Sequence, residues 1–145
     1  MSGMFDTCRD FNQTVQFNTA RVTDMSVMFQ HCNRFNNGNG QPLTLNTALV
    51  MDMGGMFRNC SNLNCPLPFN TSAVTTFPAV FMEAYRFNQP LAWDVRNSRE
   101  FTWMFYGATA FAQPLNAWQV NPQAATDNMF TGSGLEAQGL LPPWF

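Results

Sequence analysis

Three cysteines, Cys8, Cys32 and Cys60, recur at similar intervals, and the only histidine, His31, precedes the second of them. Thiols that meet in a fold can bind a metal, form a disulfide or fill a core. Their intervals do not match the short spacing of zinc-ligand pairs. A Cys-His nucleophile needs two side chains that converge, and those of adjacent residues on one coil diverge. The most reactive side chains therefore predict neither a catalytic residue nor a metal site.

The position of these cysteines in the repeat requires a small side chain but not a sulfur atom. Later parts of the chain place Ala84, Ala108 and Ser133 at the same position, which favours buried thiols. Residues in register on stacked coils lie ~4.8 Å apart, beyond the ~3.5–4.5 Å between the Cβ atoms of a disulfide. A disulfide between Cys60 and a neighbour, or a metal site, is the alternative. Cys65 lies in a predicted turn and is the thiol that we expect to be exposed.

Asparagine forms two further columns at matching positions. The first column comes one residue after the aromatic position of each repeat and consists of Asn18, Asn46, Asn70, Asp94 and Gln119. The second comes one residue after a second phenylalanine position and consists of Asn12, Asn36, Asn64 and Asn88. Short amide side chains bond backbone groups at turns, whereas calcium needs several converging carboxylates. We therefore predict a structural role for both columns, no cofactor and no enzyme activity.

A repeat of about 25 residues must position these columns. FNQTVQFNTARVTDMSVMF, residues 11–29, returns as FNQPLAWDVRNSREFTWMF at residues 87–105. Six phenylalanines, five of them preceded by Met, give the frame at intervals of 24, 28, 24, 24 and 25 residues: Phe5, Phe29, Phe57, Phe81, Phe105 and Phe130. Repeats of this length cannot bury their own apolar face and must stack. Residues 1–145 are thus predicted to form one solenoid domain of about six coils.

Each coil has two predicted elements. The alternation in Val15–Phe17 and in Leu91–Trp93 predicts a short parallel strand, and Pro42, Pro66, Pro90 and Pro114 precede four of these units. The segment before each frame phenylalanine, such as residues 22–29, has the apolar spacing of a single helical or 3₁₀ turn.

Composition excludes several partners. Charged residues make up 11% of the chain, the net charge is −2, and all seven basic residues are Arg. The chain has no run of basic residues, so nucleic-acid binding is not expected. It also has no apolar run of 18 residues, so no transmembrane span is predicted. The first residues, MSGMFDTC, show no signal peptide, so the chain is either not exported or is a mature or partial chain.

The residues that differ between repeats predict the interaction surface. Gln16, Thr44, Pro68 and Ala92 are the outward positions of the predicted strands. Asn37 and Asn39 lie in an insertion, NNGNGQ at 36–41, and insertions in solenoids form loops. Leu141, Trp144 and Phe145 end the chain with apolar side chains. Because solenoids need capped ends, we expect a fragment of a longer chain, end-to-end stacking or docking onto an assembly.

The pattern VTDMSVMF, FNQPL and Trp93-Asp94-Val95 resembles the BspA-like bacterial surface-protein repeat of the Mycoplasma lipoprotein type. The match extends over essentially the whole chain, and residues 77–80 and 126–128 depart from it. The resemblance implies a right-handed solenoid like that of leucine-rich repeats, exposure on a cell surface, adhesion or protein binding, and no enzyme activity.

These observations together predict a non-enzymatic module for protein–protein interaction. It would be a structural or accessory subunit of a larger assembly or surface layer. The alternative is a cell-surface adhesin that recognises host protein or glycan. A small-molecule ligand is not expected.

Overall fold

The computed structural model describes all 145 residues, Met1 to Phe145. It contains two helices of four residues each, α1 (Asn37–Gly40) and α2 (Gly134–Ala137). Parallel pairing is limited to three isolated bridges, Asp24–Asp52, Asp52–Thr76 and Glu100–Ala125. Most of the order therefore comes from turns and from contacts between one repeat and the next.

The segments around the frame phenylalanines are joined by backbone hydrogen bonds. The Phe29 N–H donates to the Met56 oxygen at 2.9 Å, and the Phe57 N–H donates to the Val80 oxygen at 3.0 Å. The intervening N–H groups bond three residues back, as the Cys32 N–H does to the Phe29 oxygen at 3.0 Å. The predicted helical or 3₁₀ turn is therefore a run of β-turns, because every second N–H serves the next repeat.

Backbone dihedral angles agree with this description. Val27 and His31, two residues before and after Phe29, have φ of 48° and 58°. The third residue of a type II turn requires a positive φ, which favours glycine. Gly55 at 61° satisfies that preference in the next repeat, whereas Trp103 at 57° does not.

The predicted strands are absent from the Leu-x-aromatic units, although their side chains alternate as expected. Leu91 and Trp93 are buried and Ala92 between them is exposed. Trp93 Nε1 donates to the Leu67 oxygen at 3.1 Å, and Trp118 Nε1 donates to the Leu91 oxygen at 3.0 Å. At these two carbonyls an indole N–H takes the place of a backbone donor from the next repeat, and the prolines that precede the units have no N–H to donate.

Aromatic rings fill the core in a continuous column. The six frame phenylalanines stack with ring centroids 5.3 to 5.9 Å apart and interplanar angles of 2° to 14°. Within a repeat, Phe81 and Phe87 stack at 4.2 Å. Such pairs add about 0.5–1.5 kcal/mol each beyond the burial of their area.

Asparagine side chains join the repeats at one corner. Asn12 Oδ1 accepts from the Asn36 N–H at 2.8 Å, and Asn36 Oδ1 accepts from the Asn64 N–H at 2.8 Å. Asn64 and Asn88 continue the series with the next repeats at 2.9 and 3.0 Å. The predicted structural role of this column is confirmed.

Candidate interaction surface

The outward strip consists of Gln16, Thr44, Pro68 and Ala92, and all four are exposed. Each follows a buried aliphatic residue of its repeat, Val15, Leu43, Leu67 or Leu91. The alternation of inward and outward side chains thus places the four predicted residues on one face, which we call the strip face.

Apolar clefts lie between repeats on the strip face. The larger has a volume of about 430 Å³ and is lined by Pro90, Leu91, Ala92, Trp93, Gln113, Pro114, Ala117 and Trp118. A neighbouring cleft of about 180 Å³ adds Pro66, Leu67, Pro68 and Phe69. No charged side chain lines either cleft. Their indole and pyrrolidine rings are suited to apolar contact.

Asn37 does not belong to an accessible surface. This residue is 2% exposed, and its Oδ1 accepts from the Val15 N–H at 2.8 Å. Its Nδ2 donates to the Gln41 and Pro42 oxygens at 3.0 and 3.1 Å. The insertion therefore folds against the first repeat. Of the two asparagines predicted to lie on the interaction surface, Asn37 has a structural role and Asn39 is exposed.

The apolar C-terminal residues divide into two groups. Trp144 is half-buried, donates from Nε1 to the Leu115 oxygen at 2.9 Å and stacks on Trp118 at 6.4 Å. It thus takes the aromatic position of the last repeat. Leu141 and Phe145 remain 39% and 50% exposed.

The prediction of buried thiols is confirmed at Cys32 and Cys60 and is wrong at Cys8, and a second prediction, for Cys65, is also corrected. Cys32 and Cys60 are buried, and their Sγ atoms donate to the Phe5 and Phe29 oxygens at 2.9 Å each. Burial raises the pKa of Cys32 and of Cys65 to about 12. The prediction that Cys65 is exposed is wrong, because its apolar thiol packs in the core, and Cys8 is the exposed one. All four thiols are free.

The shorter of the chain's two ion pairs lies beside the strip face. Arg96 Nη2 and Asp94 Oδ2 are 2.7 Å apart, and Arg96 Nε and Asp94 Oδ1 are 3.0 Å apart. Hydrogen bonds from Arg96 lower the pKa of Asp94 to about 2. Arg96 also borders a small recess of about 210 Å³ that reaches Trp93 and Trp118.

Sequence reasoning missed a polar cleft of about 370 Å³ that spans four repeats. His31, Asn59 and Glu83 line it, and each stands two residues after its frame phenylalanine. Arg9, Asn33, Ser61 and Tyr85 line it from two residues further on. The shared position was visible in the repeat alignment, but only stacking brings these side chains together.

The structure contains no group of three or more His, Cys, Asp or Glu side chains that could hold a metal ion. Neither helix has the length and apolar character needed to cross a bilayer.

A family model described as "Mycoplasma protein of unknown function, DUF285" matches residues 1–67 and 39–142. The chain belongs to this family. This match is consistent with the Mycoplasma-type repeat family that the sequence resembles. The two matches overlap at 39–67, as expected when one unit recurs along a DUF285 chain. Comparison with curated proteins gives no match, and comparison with solved structures gives none.

Proposed function

We propose that this DUF285 chain is a non-enzymatic module that binds a protein partner through the strip face. In this role it is a structural or accessory subunit of a larger assembly or surface layer. The observation that supports the proposal most is the pair of uncharged, Pro- and Trp-lined clefts around Ala92. Protein interfaces are enriched in aromatic side chains and depleted of charge at their centres.

The proposed fold class is a right-handed solenoid of the leucine-rich-repeat type. The backbone bonds that join Phe29, Phe57 and Phe81 to successive repeats support stacking. The handedness and the finer assignment to BspA-like repeats rest on the sequence resemblance. A stack of this kind presents equivalent residues in rows and so offers an extended surface.

A charge introduced at the centre of the strip face tests the protein-binding role. Ala92 is exposed, so Ala92→Arg leaves the core unchanged but places a cation between the two apolar clefts. In affinity purification from the native cells, we expect a partner that copurifies with the wild type in stoichiometric amount to be lost with Ala92→Arg. Burial of an unpaired charge in an interface weakens binding by orders of magnitude.

Gln123→Arg is the matched control, because Gln123 is exposed and lies outside the strip-face clefts. It should retain the partner. Equal recovery of every stoichiometric partner by wild type and Ala92→Arg would contradict a role for the strip face.

A cell-surface adhesin is the second candidate, and the polar cleft favours it because a site for hydrophilic ligands suits recognition of host protein or glycan. This role requires an extracellular location. Protease treatment of intact cells should remove the protein, and full protection would contradict the adhesin role while leaving the strip face as a binding surface.

A further inference from the structure

The polar cleft is lined by two parallel rows of side chains. His31, Asn59 and Glu83 form the inner row, and Arg9, Asn33, Ser61 and Tyr85 form the outer row. Tyr85 is the only hydrophobic residue of the lining. Each residue of the two rows stands at a fixed position after a stacked frame phenylalanine, so the rows run along the stack and form an elongated site.

Hydrogen bonds hold the floor of the cleft. Asn59 Nδ2 and His31 Nδ1 are 2.9 Å apart. Asn33 Nδ2 donates to the backbone oxygen of Asn59 at 3.2 Å and lies 3.4 Å from Ser61 Oγ. Asn59 Oδ1 is buried without a hydrogen-bond partner, an uncommon condition that a water or a ligand usually relieves.

The walls of the cleft have unused bonding capacity. The two ion pairs of the chain are Arg34–Asp10 and Arg96–Asp94, so Arg9 and Glu83 are free to bind a ligand. Tyr85 is 47% exposed. The cleft thus combines planar donors and acceptors with one aromatic face.

This lining identifies the class of ligand. Sites for drug-like molecules are predominantly apolar, and this cleft is not. One cation and one anion in separate repeats favour neither a polyanion nor a polycation. Amide, carboxylate and guanidinium groups pair with vicinal hydroxyls, and an aromatic ring packs on the C–H face of a sugar.

A peptide fits this cleft less well. Extended peptides bind by pairing with free backbone groups at an edge. Here the His31, Asn59 and Glu83 N–H groups already donate to the Arg58, Met82 and Tyr106 oxygens at 2.7 to 2.8 Å.

We propose that the polar cleft between Arg9 and Tyr85 binds a neutral linear oligosaccharide lying across the four repeats. The inference deepens the adhesin candidate. It concerns a different face from the strip face, so its failure leaves the protein-binding proposal intact. Binding in vitro is also independent of where the protein is located.

The test measures binding of purified protein to chitotetraose, cellotetraose, maltotetraose and mannotetraose by saturation-transfer NMR and calorimetry. A heparin tetrasaccharide and a random peptide pool serve as competing classes. We expect at least one neutral tetrasaccharide to bind, and Tyr85→Ala and Glu83→Gln each to weaken it about fivefold or more. Arg86→Ala, an exposed neighbour outside the cleft, should bind as the wild type does.

Three results would overturn the proposal. The first is no neutral saccharide binding at about 10 mM, a concentration beyond the weakest useful affinity. The second is binding that neither cleft variant alters. The third is preferential binding of heparin or of a peptide that Glu83→Gln and Tyr85→Ala abolish.

Discussion

The left-handed residues show that neighbours, and not local preference, set the backbone. Val27 and Trp103 hold φ at 48° and 57°, where an L side chain costs about 1–2 kcal/mol. The cost is accepted because the Val27 N–H reaches the Gly54 oxygen of the next repeat at 2.8 Å. Gly55, at the position equivalent to Val27, has φ of 61°, so glycine is favoured there but not required.

The Asp94–Arg96 pair gives a prediction at the same scale. Arg96 holds the pKa of Asp94 at about 2, below its ordinary 3.8. A lowered folded-state pKa stabilises the protein above pH 3.8, and that contribution is lost as the pH falls from 3.8 towards 2. Both side chains are partly solvated, at 66% and 30% exposed for Arg96 and Asp94, so the effect on stability is small.

Arg96→Ala should therefore return the pKa of Asp94 towards its ordinary value, as measured by NMR titration of its carboxyl carbon. Arg99→Ala removes an exposed arginine outside the chain's ion pairs and should leave the titration unchanged. An unaltered Asp94 pKa in Arg96→Ala would show that the pair does not form in solution.

At the scale of elements, the aromatic units show how far sequence reasoning reaches. Alternation in Leu91–Trp93 correctly predicts which side chains are buried. It does not predict the backbone pairing, because a strand and an indole can satisfy the same Leu carbonyl. The bond from Trp93 Nε1 to the Leu67 oxygen depends on the distance between repeats, and one repeat viewed alone does not contain that distance.

Trp93→Phe tests whether the hydrogen bond from the indole stabilises the fold in place of strand pairing. Phe occupies the same position in Phe69, so the ring fits. The buried Leu67 carbonyl loses its indole donor and keeps only the Phe69 N–H, at 2.8 Å. Loss of this second hydrogen bond should lower the free energy of unfolding by about 0.5–1.5 kcal/mol, measured in urea. Trp103→Phe is the control, since Trp103 is 47% exposed. Equal stability of both variants would contradict the role of the indole bond.

The insertion and Cys65 show what sequence reasoning could not predict at the scale of elements. Composition predicts a turn at 36–41 but not that Asn37 turns inward to bond Val15. Cys65 is predicted to be exposed because the equivalent residues in other repeats are the polar Gln41, Gln89 and Gln113. A thiol at a glutamine position packs inward because it needs no hydrogen-bond partner.

For the whole molecule, repetition separates scaffold from function. Positions that recur, such as the frame phenylalanines and the Asn12 column, meet their equivalents in the next repeat. Positions that vary face outward and form the strip face and the polar cleft. The sequence predicted the strip because alternation places one residue per repeat outside. It missed the cleft, because seven unlike side chains become one site only when four repeats are stacked.

Equilibrium unfolding of Phe87→Ala tests this division most directly. Phe87 is fully buried and stacks on Phe81 at 4.2 Å and on Phe111 at 5.9 Å. Its removal should lower the free energy of unfolding by about 3–5 kcal/mol. Phe145→Ala is the matched control, because Phe145 is 50% exposed, and it should cost much less. Equal losses, or a larger loss from Phe145→Ala, would contradict the alignment of the repeats and with it the placement of both proposed binding surfaces.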